Sequence, residues 1–162
     1  ENAEWVANAE AGAMRTLKNA KVTLIQGGHA VPEITQQMTL VRNLFENHKP
    51  DYILGNALAA EAAARFLRDR RDQHAKVIAY WANEPVIAMI RNRQILAAPS
   101  NGGVLQARIG FDLAIRALEG KPYPTSVKLA PEMLDAKTIG QFQTDKLLAP
   151  ANQWMIQREL PN

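Results

Sequence analysis

Apolar residues recur along this chain in two alternating rhythms, one helical and one strand-like. From Trp5 to Leu17 the spacing is helical, with Ala7, Ala11, Met14 and Leu17 on one stripe and Gly12 as a mild weakness. Lys21-Val-Thr-Leu-Ile-Gln26 is rich in strand formers and gives way to a Gly27-Gly28 loop. Pro32 suits the first turn of a second helix, whose apolar face is Ile34, Met38, Val41, Leu44 and Phe45, and His48-Lys49-Pro50 stops it. Between Asp51 and Trp81 the pattern tightens. A short apolar run, Tyr52-Ile-Leu-Gly55, is followed by the Ala-rich amphipathic stretch from Asn56 to Leu67 and by Lys76-Val-Ile-Ala-Tyr-Trp81. That is a strand–helix–strand unit, and short apolar runs separated by a helix favour parallel strands buried on both faces.

The same alternation continues. Asn83-Glu-Pro85 is a helix-start signature ahead of Val86, Met89 and Ile90, and Gln94-Ile-Leu-Ala-Ala98 is a strand that breaks at Pro99. The loop Ser100–Gly103 opens a longer helix through Leu118, closed by Gly120 and Pro122. A strand around Ser126–Ala130, a short helix after Asp135 and a strand-like run, Gln153-Trp-Met-Ile156, complete the pattern. Strands alternating with helices predict an α/β fold, an open, mainly parallel three-layer αβα sandwich of Rossmann-like type. The series opens on a helix with no strand to feed it, so a right-handed crossover would place a first strand upstream, within a larger protein.

Composition narrows the classes. A length of 162 residues suits one domain or one lobe, and 47% hydrophobic with 22% charged residues is the balance of a soluble globular chain. The net charge is only +3, and the basic run Arg65–Arg71, interrupted by Asp69, reads as a solvated helix end rather than a nucleic-acid surface. No stretch approaches the roughly 20 apolar residues needed for membrane insertion. Cysteine is absent, which removes disulfides and thiol chemistry without deciding the compartment. Gly27-Gly28 and Gly102-Gly103 lack the spacing of dinucleotide or phosphate loops, and His29, His48 and His74 lack metal-ligand spacing. Ser100 has no obvious base, and Glu61 and Glu84 have ordinary helical roles. Without a pair of groups suited to acid–base work, the sequence points away from an enzyme and calls for no cofactor.

In open parallel sheets small molecules bind beyond the carboxyl ends of the strands. Asn56, Trp81 and Asn101 fall at such ends, and Trp5 starts a helix that would face the same edge; Trp154 suits a core or an interface. Indoles with amides fit a small, poorly hydrogen-bonding or cationic ligand, since an aromatic face attracts a cation by about 0.5–2 kcal/mol. Aromatic side chains that merely fill loops are the alternative.

The order of elements resembles the carboxyl-terminal lobe of the type I periplasmic binding proteins, the ribose-binding group. Gly55-Asn-Ala-Leu-Ala-Ala-Glu-Ala-Ala63, Val77-Ile-Ala-Tyr-Trp81, Ile95-Leu-Ala-Ala98 and Ala114-Ile-Arg-Ala-Leu-Glu-Gly120 are similar to the branch that binds trimethylamine N-oxide. The resemblance implies a periplasmic sensor that closes two lobes around this ligand and signals to the periplasmic domain of a membrane sensor histidine kinase. It implies cleft contacts at Trp5, Asn56, Tyr80, Trp81 and Asn101; strand alternation sends Tyr80 opposite to Trp81 unless the strand has ended. It further implies a ligand-binding lobe over 1–98, a crossover over 99–126 and a return segment and tail over 127–162. The crossover helix would pack on the amino-terminal lobe, leaving Leu105, Ile109 and Leu113 partly exposed here. A periplasmic protein for another small solute, such as a sugar or an autoinducer, and the effector domain of a LacI-type repressor are the alternatives.

Overall fold

The computed structural model describes residues 4–70 and 74–149. Its sheet has four strands, β1 (Tyr52–Gly55), β2 (Lys76–Ala79), β3 (Ala97–Ser100) and β4 (Glu132–Asp135), in that spatial order. The first three are parallel and β4 pairs antiparallel with β3. Helices α1 (Glu4–Leu17) and α2 (Ile34–Asn47) precede the sheet; α3 (Ala57–Arg68), α4 (Glu84–Arg91) and α5 (Gly103–Leu118) follow β1, β2 and β3 in turn. The open, mainly parallel α/β architecture is the one the alternation predicts.

One face of the sheet carries the core. Ile53, Val77, Ala79, Ala98 and Leu134 turn inward against Ala60, Ala63 and Ala64 of α3 and Val86, Ile87 and Ile90 of α4. The α2 stripe holds as read, with Val41 buried and Ile34, Met38, Leu44 and Phe45 packed beside the core, the Phe45 ring stacked 4.9 Å from that of Phe66. Each buried Val, Ile or Phe contributes about 1.5–3 kcal/mol. The helices start where the sequence caps them. Asn56 Oδ1 accepts the Ala59 N–H at 2.8 Å and Asn83 Oδ1 accepts the Val86 N–H at 3.0 Å. The Glu61 carboxylate, buried in α3, is bonded to the Arg65 guanidinium one turn on.

Several sequence expectations are corrected. Lys21–Gln26 forms no strand; Val22, Leu24 and Ile25 are exposed, and strand formers become a strand only where pairing and burial reward them. The stripe of α1 is rotated, with Val6, Ala9, Ala13 and Leu17 half-buried and Ala7, Ala11 and Met14 exposed. Small Ala side chains mark a helical stripe weakly, so neighbouring stripes of α1 are nearly equivalent in hydrophobicity. β3 begins at Ala97 and runs through Pro99, which a strand accepts because its carbonyl still receives the Ala82 N–H at 3.1 Å. The expected strand at Ser126–Ala130 lies instead at Glu132–Asp135, and after Asp135 the chain makes turns and a 3₁₀ turn at Thr144–Lys146 rather than an α-helix. Gln153–Ile156, with Trp154, lies outside the described residues.

The join between β1 and α3 is the tightest contact in the sheet. A Cβ at Gly55 would stand 2.7 Å from Ala59 Cβ, inside van der Waals distance. Gly55→Ala is therefore expected to destabilise the fold by roughly 1–3 kcal/mol through overpacking. Urea unfolding of the variant checks this; an unchanged midpoint would mean that the turn yields freely.

Candidate ligand-binding site

The strand ends, the first turns of α1 and the β3–α5 corner converge on one cavity. Its volume is about 670 Å3, and its walls are Trp5, Ala9, Tyr80, Trp81, Pro99, Asn101 and Pro131. Every one of these is uncharged, and the surface is aromatic, prolyl and alanyl, with the Tyr80 hydroxyl, the Asn101 amide and the indole N–H groups of Trp5 and Trp81 as its side-chain polar groups. The volume suits a small molecule.

Local geometry explains how the side chains reach it. β2 ends at Ala79, and the next residues bend: the Tyr80 N–H donates to Gly55 O at 2.9 Å and the Ala82 N–H to Pro99 O at 3.1 Å. Because regular alternation stops there, Tyr80 and Trp81 both line the cavity. Trp5 meets Tyr80 with ring centroids 6.3 Å apart and planes tilted by 54°, within the range of favourable aromatic pairs. Partial burial raises the Tyr80 phenol above its ordinary value of 10.0, so it stays protonated and can donate a hydrogen bond at neutral pH. At the β3–α5 corner Ser100 Oγ accepts the Gly102 N–H at 3.3 Å, and Gly102 turns the chain at a φ of +62°, where a side chain would be strained. That turn presents Asn101, whose carbonyl is bonded by the Gln106 side chain.

Of the residues singled out in the sequence, Trp5, Tyr80, Trp81 and Asn101 share this cavity. Asn56 is not among its walls; its side-chain oxygen is engaged by the first turn of α3. Ala9, Pro99 and Pro131 went unnoticed. Ala9 lies one helical turn after Trp5, a spacing that could have found it. Pro131 depends on the antiparallel return of β4, for which the sequence carries no local signal. Trp5 and Trp81 are 52% and 45% exposed, so the cavity is an open half-site rather than an enclosed one. Among the described residues no group of His, Cys, Asp or Glu could hold a metal ion.

No protein-family model matches the sequence, and a search of curated proteins finds no match. Solved structures do match. An ABC transporter solute-binding protein from Bradyrhizobium sp. BTAi1, with bound Bis-Tris, superposes with a TM-score of 0.86 at 28% identity over 95% of this chain and 46% of its own. The complex of the TorS sensor domain with TorT in the presence of TMAO gives 0.84 at 23% identity, over 92% of this chain and 51% of the other. A sugar ABC transport system substrate-binding protein from Bordetella parapertussis 12822 gives 0.80 at 21% identity, over 94% and 52%. The chain thus spans about half the length of these proteins.

The cap geometry yields a prediction that separates folding from binding. Asn56→Ala should lower stability by about 1 kcal/mol, through loss of the α3 cap, and leave ligand affinity nearly unchanged. Thermal unfolding and calorimetric titration of the same variant check the two halves; weakened binding at unchanged stability would assign Asn56 to the ligand instead. Helix start, strand end and uncharged aromatic cavity coincide at one sheet edge, in the fold of a lobe of the type I periplasmic solute-binding proteins.

Proposed function

We propose that this chain is the carboxyl-terminal lobe of a periplasmic solute-binding sensor for trimethylamine N-oxide, which reports ligand occupancy to a TorS-type membrane histidine kinase. The observation that carries the reading is the uncharged aromatic wall formed by Trp5, Tyr80 and Trp81, with Asn101 beside it. Trimethylamine N-oxide turns three methyl groups around a formally positive nitrogen outward and carries one anionic oxygen. The methyl face takes no hydrogen bonds and is best held by π faces, while the oxygen needs donors such as the Tyr80 hydroxyl or the Asn101 amide. The likeness to the TorS–TorT complex supports the same class of ligand and partner.

The second lobe belongs to this reading. α5 stands on the crossover segment 99–126, and Leu105, Ile109 and Leu113 are half-buried. Its Phe111 and Leu118 are 75% and 89% exposed, an apolar surface suited to packing on an amino-terminal lobe. Residues 1–98 would then supply this half of the cleft and 127–162 the return segment and tail. Binding would close the lobes about the crossovers and change the surface offered to the kinase. A sugar-binding protein is the competing reading, favoured by the Bordetella structure. Sugars require several directed polar partners, often charged, and the wall described here offers one hydroxyl, one side-chain amide and the indole N–H groups of Trp5 and Trp81, all of them neutral.

In the two-lobed protein, Trp81→Ala should weaken trimethylamine N-oxide binding by roughly 1–3 kcal/mol, the sum of a lost cation–π contact and lost apolar burial. Trp81→Phe should keep more of the affinity because a π face remains. Isothermal titration with the N-oxide, and with glucose as a comparison, decides between the readings: glucose binding without N-oxide binding would favour the sugar protein.

A further inference from the structure

The pole of the lobe opposite the cavity is cationic. In a parallel α/β unit the strand starts and the helix ends gather at one edge, and here they bring Lys49, Arg68, Arg70, Lys76, Arg91 and Arg93 to it, all exposed. Lys49 follows α2, Arg68 and Arg70 end α3, Lys76 opens β2, and Arg91 and Arg93 end α4 and form its turn to β3. Among the described residues, Glu46, Asp51 and Asp69 are carboxylates of the same edge, with Arg68 Nε 3.2 Å from Asp69. Asp135 and Lys137, at the end of antiparallel β4, add one charge of each sign. Among the described residues these six cations outnumber the three carboxylates by three.

Helix ends alone do not account for it. Each carries roughly half a negative charge, which favours one cation in its last turn. Lys76 starts a strand, outside that effect. Arg93 sits at a φ of +58° in the left-handed turn that ends α4, where glycine or asparagine would be cheaper.

We propose that this pole adsorbs to an anionic phospholipid surface, with the ligand cavity turned away from it. These cations line neither the aromatic cavity nor the one between α5 and Val127–Leu129; they lie at the ends of separate elements and suit charge spread over a surface. A protein partner would be expected to seat on an apolar centre, with charges at the rim. Exposed large side chains at this pole are Tyr52, 57% accessible, with the Lys76 ammonium 5.8 Å from its ring centroid, and Leu96 before β3, 47% accessible. An amphipathic ring beside a lysine is suited to the headgroup level of a bilayer. The attraction is electrostatic and needs no apolar insertion.

Co-sedimentation with vesicles tests it, using phosphatidylcholine alone and phosphatidylcholine with about 30 mol% phosphatidylglycerol, at about 50 mM and about 300 mM salt. The chain is expected to sediment with the anionic vesicles at low salt only. Reversing Lys76, Arg91 and Arg93 to Glu should reduce partition by about tenfold or more, whereas reversing Arg108, Lys128 and Lys146, which changes net charge equally, should reduce it by no more than about threefold. Arg93→Gly guards against misfolding: it relieves the left-handed backbone, so thermal stability should be equal or higher while partition falls. Equal losses in both triple variants, binding indifferent to phosphatidylglycerol, or retention on an immobilised acidic polypeptide without retention on vesicles would overturn the proposal.

Discussion

The close approach of α3 to the first two strands is the constraint on which the rest of the lobe depends. Ala57, Ala60, Ala62, Ala63 and Ala64 are essentially inaccessible, and Gly55 leaves no room for a side chain against Ala59. Small side chains let the helix axis sit near the sheet and bring α2 and α4 in on either side, as α2 packs on α3 and α3 on α4. Ala pays almost no rotamer entropy on burial and favours helix intrinsically, so the tightest contact is also among the least costly to order. A larger residue at any of these sites would lift α3 and with it the start of β2 and the Tyr80–Trp81 bend.

That unit was legible because every local signal in it agrees. The Asn56 cap, the Ala-rich stripe and the two flanking apolar runs each specify the same strand–helix–strand arrangement, and the helix starting at Asn83 repeats the logic. The aromatic edge was legible for the same reason, since strand ends in a parallel sheet share one side. Lys21–Gln26 failed where propensity was the sole guide: β-formers become a strand only when a neighbouring edge and a covering layer make pairing worthwhile. Ser126–Ala130 failed similarly. The pairing that decides β4 joins Ala97–Ser100 to Glu132–Asp135 across α5, a long-range choice invisible to local patterning. Asn56 had two plausible uses, and the N-terminal turn of α3 claims its oxygen.

The two poles of the lobe follow from a single topological fact. Parallel strands with helices between them place helix starts at one edge and helix ends at the other. The first edge collects capping amides, tight turns and the side chains just past each strand, hence Trp81 and Asn101. The second collects the cations that offset the negative ends of the helices and, beside them, Lys76 at the start of β2. The cavity wall itself carries no charge, so an ammonium there meets π faces without a competing carboxylate, and an anionic oxygen meets neutral donors without a competing ammonium.

An open half-site of this kind cannot by itself reach the affinity of an enclosed one. Trp5 and Trp81 keep about half their surface in water, and a cation held against a solvated ring gains about 0.5–1 kcal/mol, against 2 or more once water is excluded. A second wall would raise the value of every contact already present on the first, because it desolvates the ring faces and the ligand together. Closure and affinity are then the same event: the ligand stabilises the closed arrangement by as much as the closed arrangement strengthens its binding. A sensor built this way would need no separate device to couple occupancy to shape, since half-exposed indoles would hold a ligand well only when something else covered them.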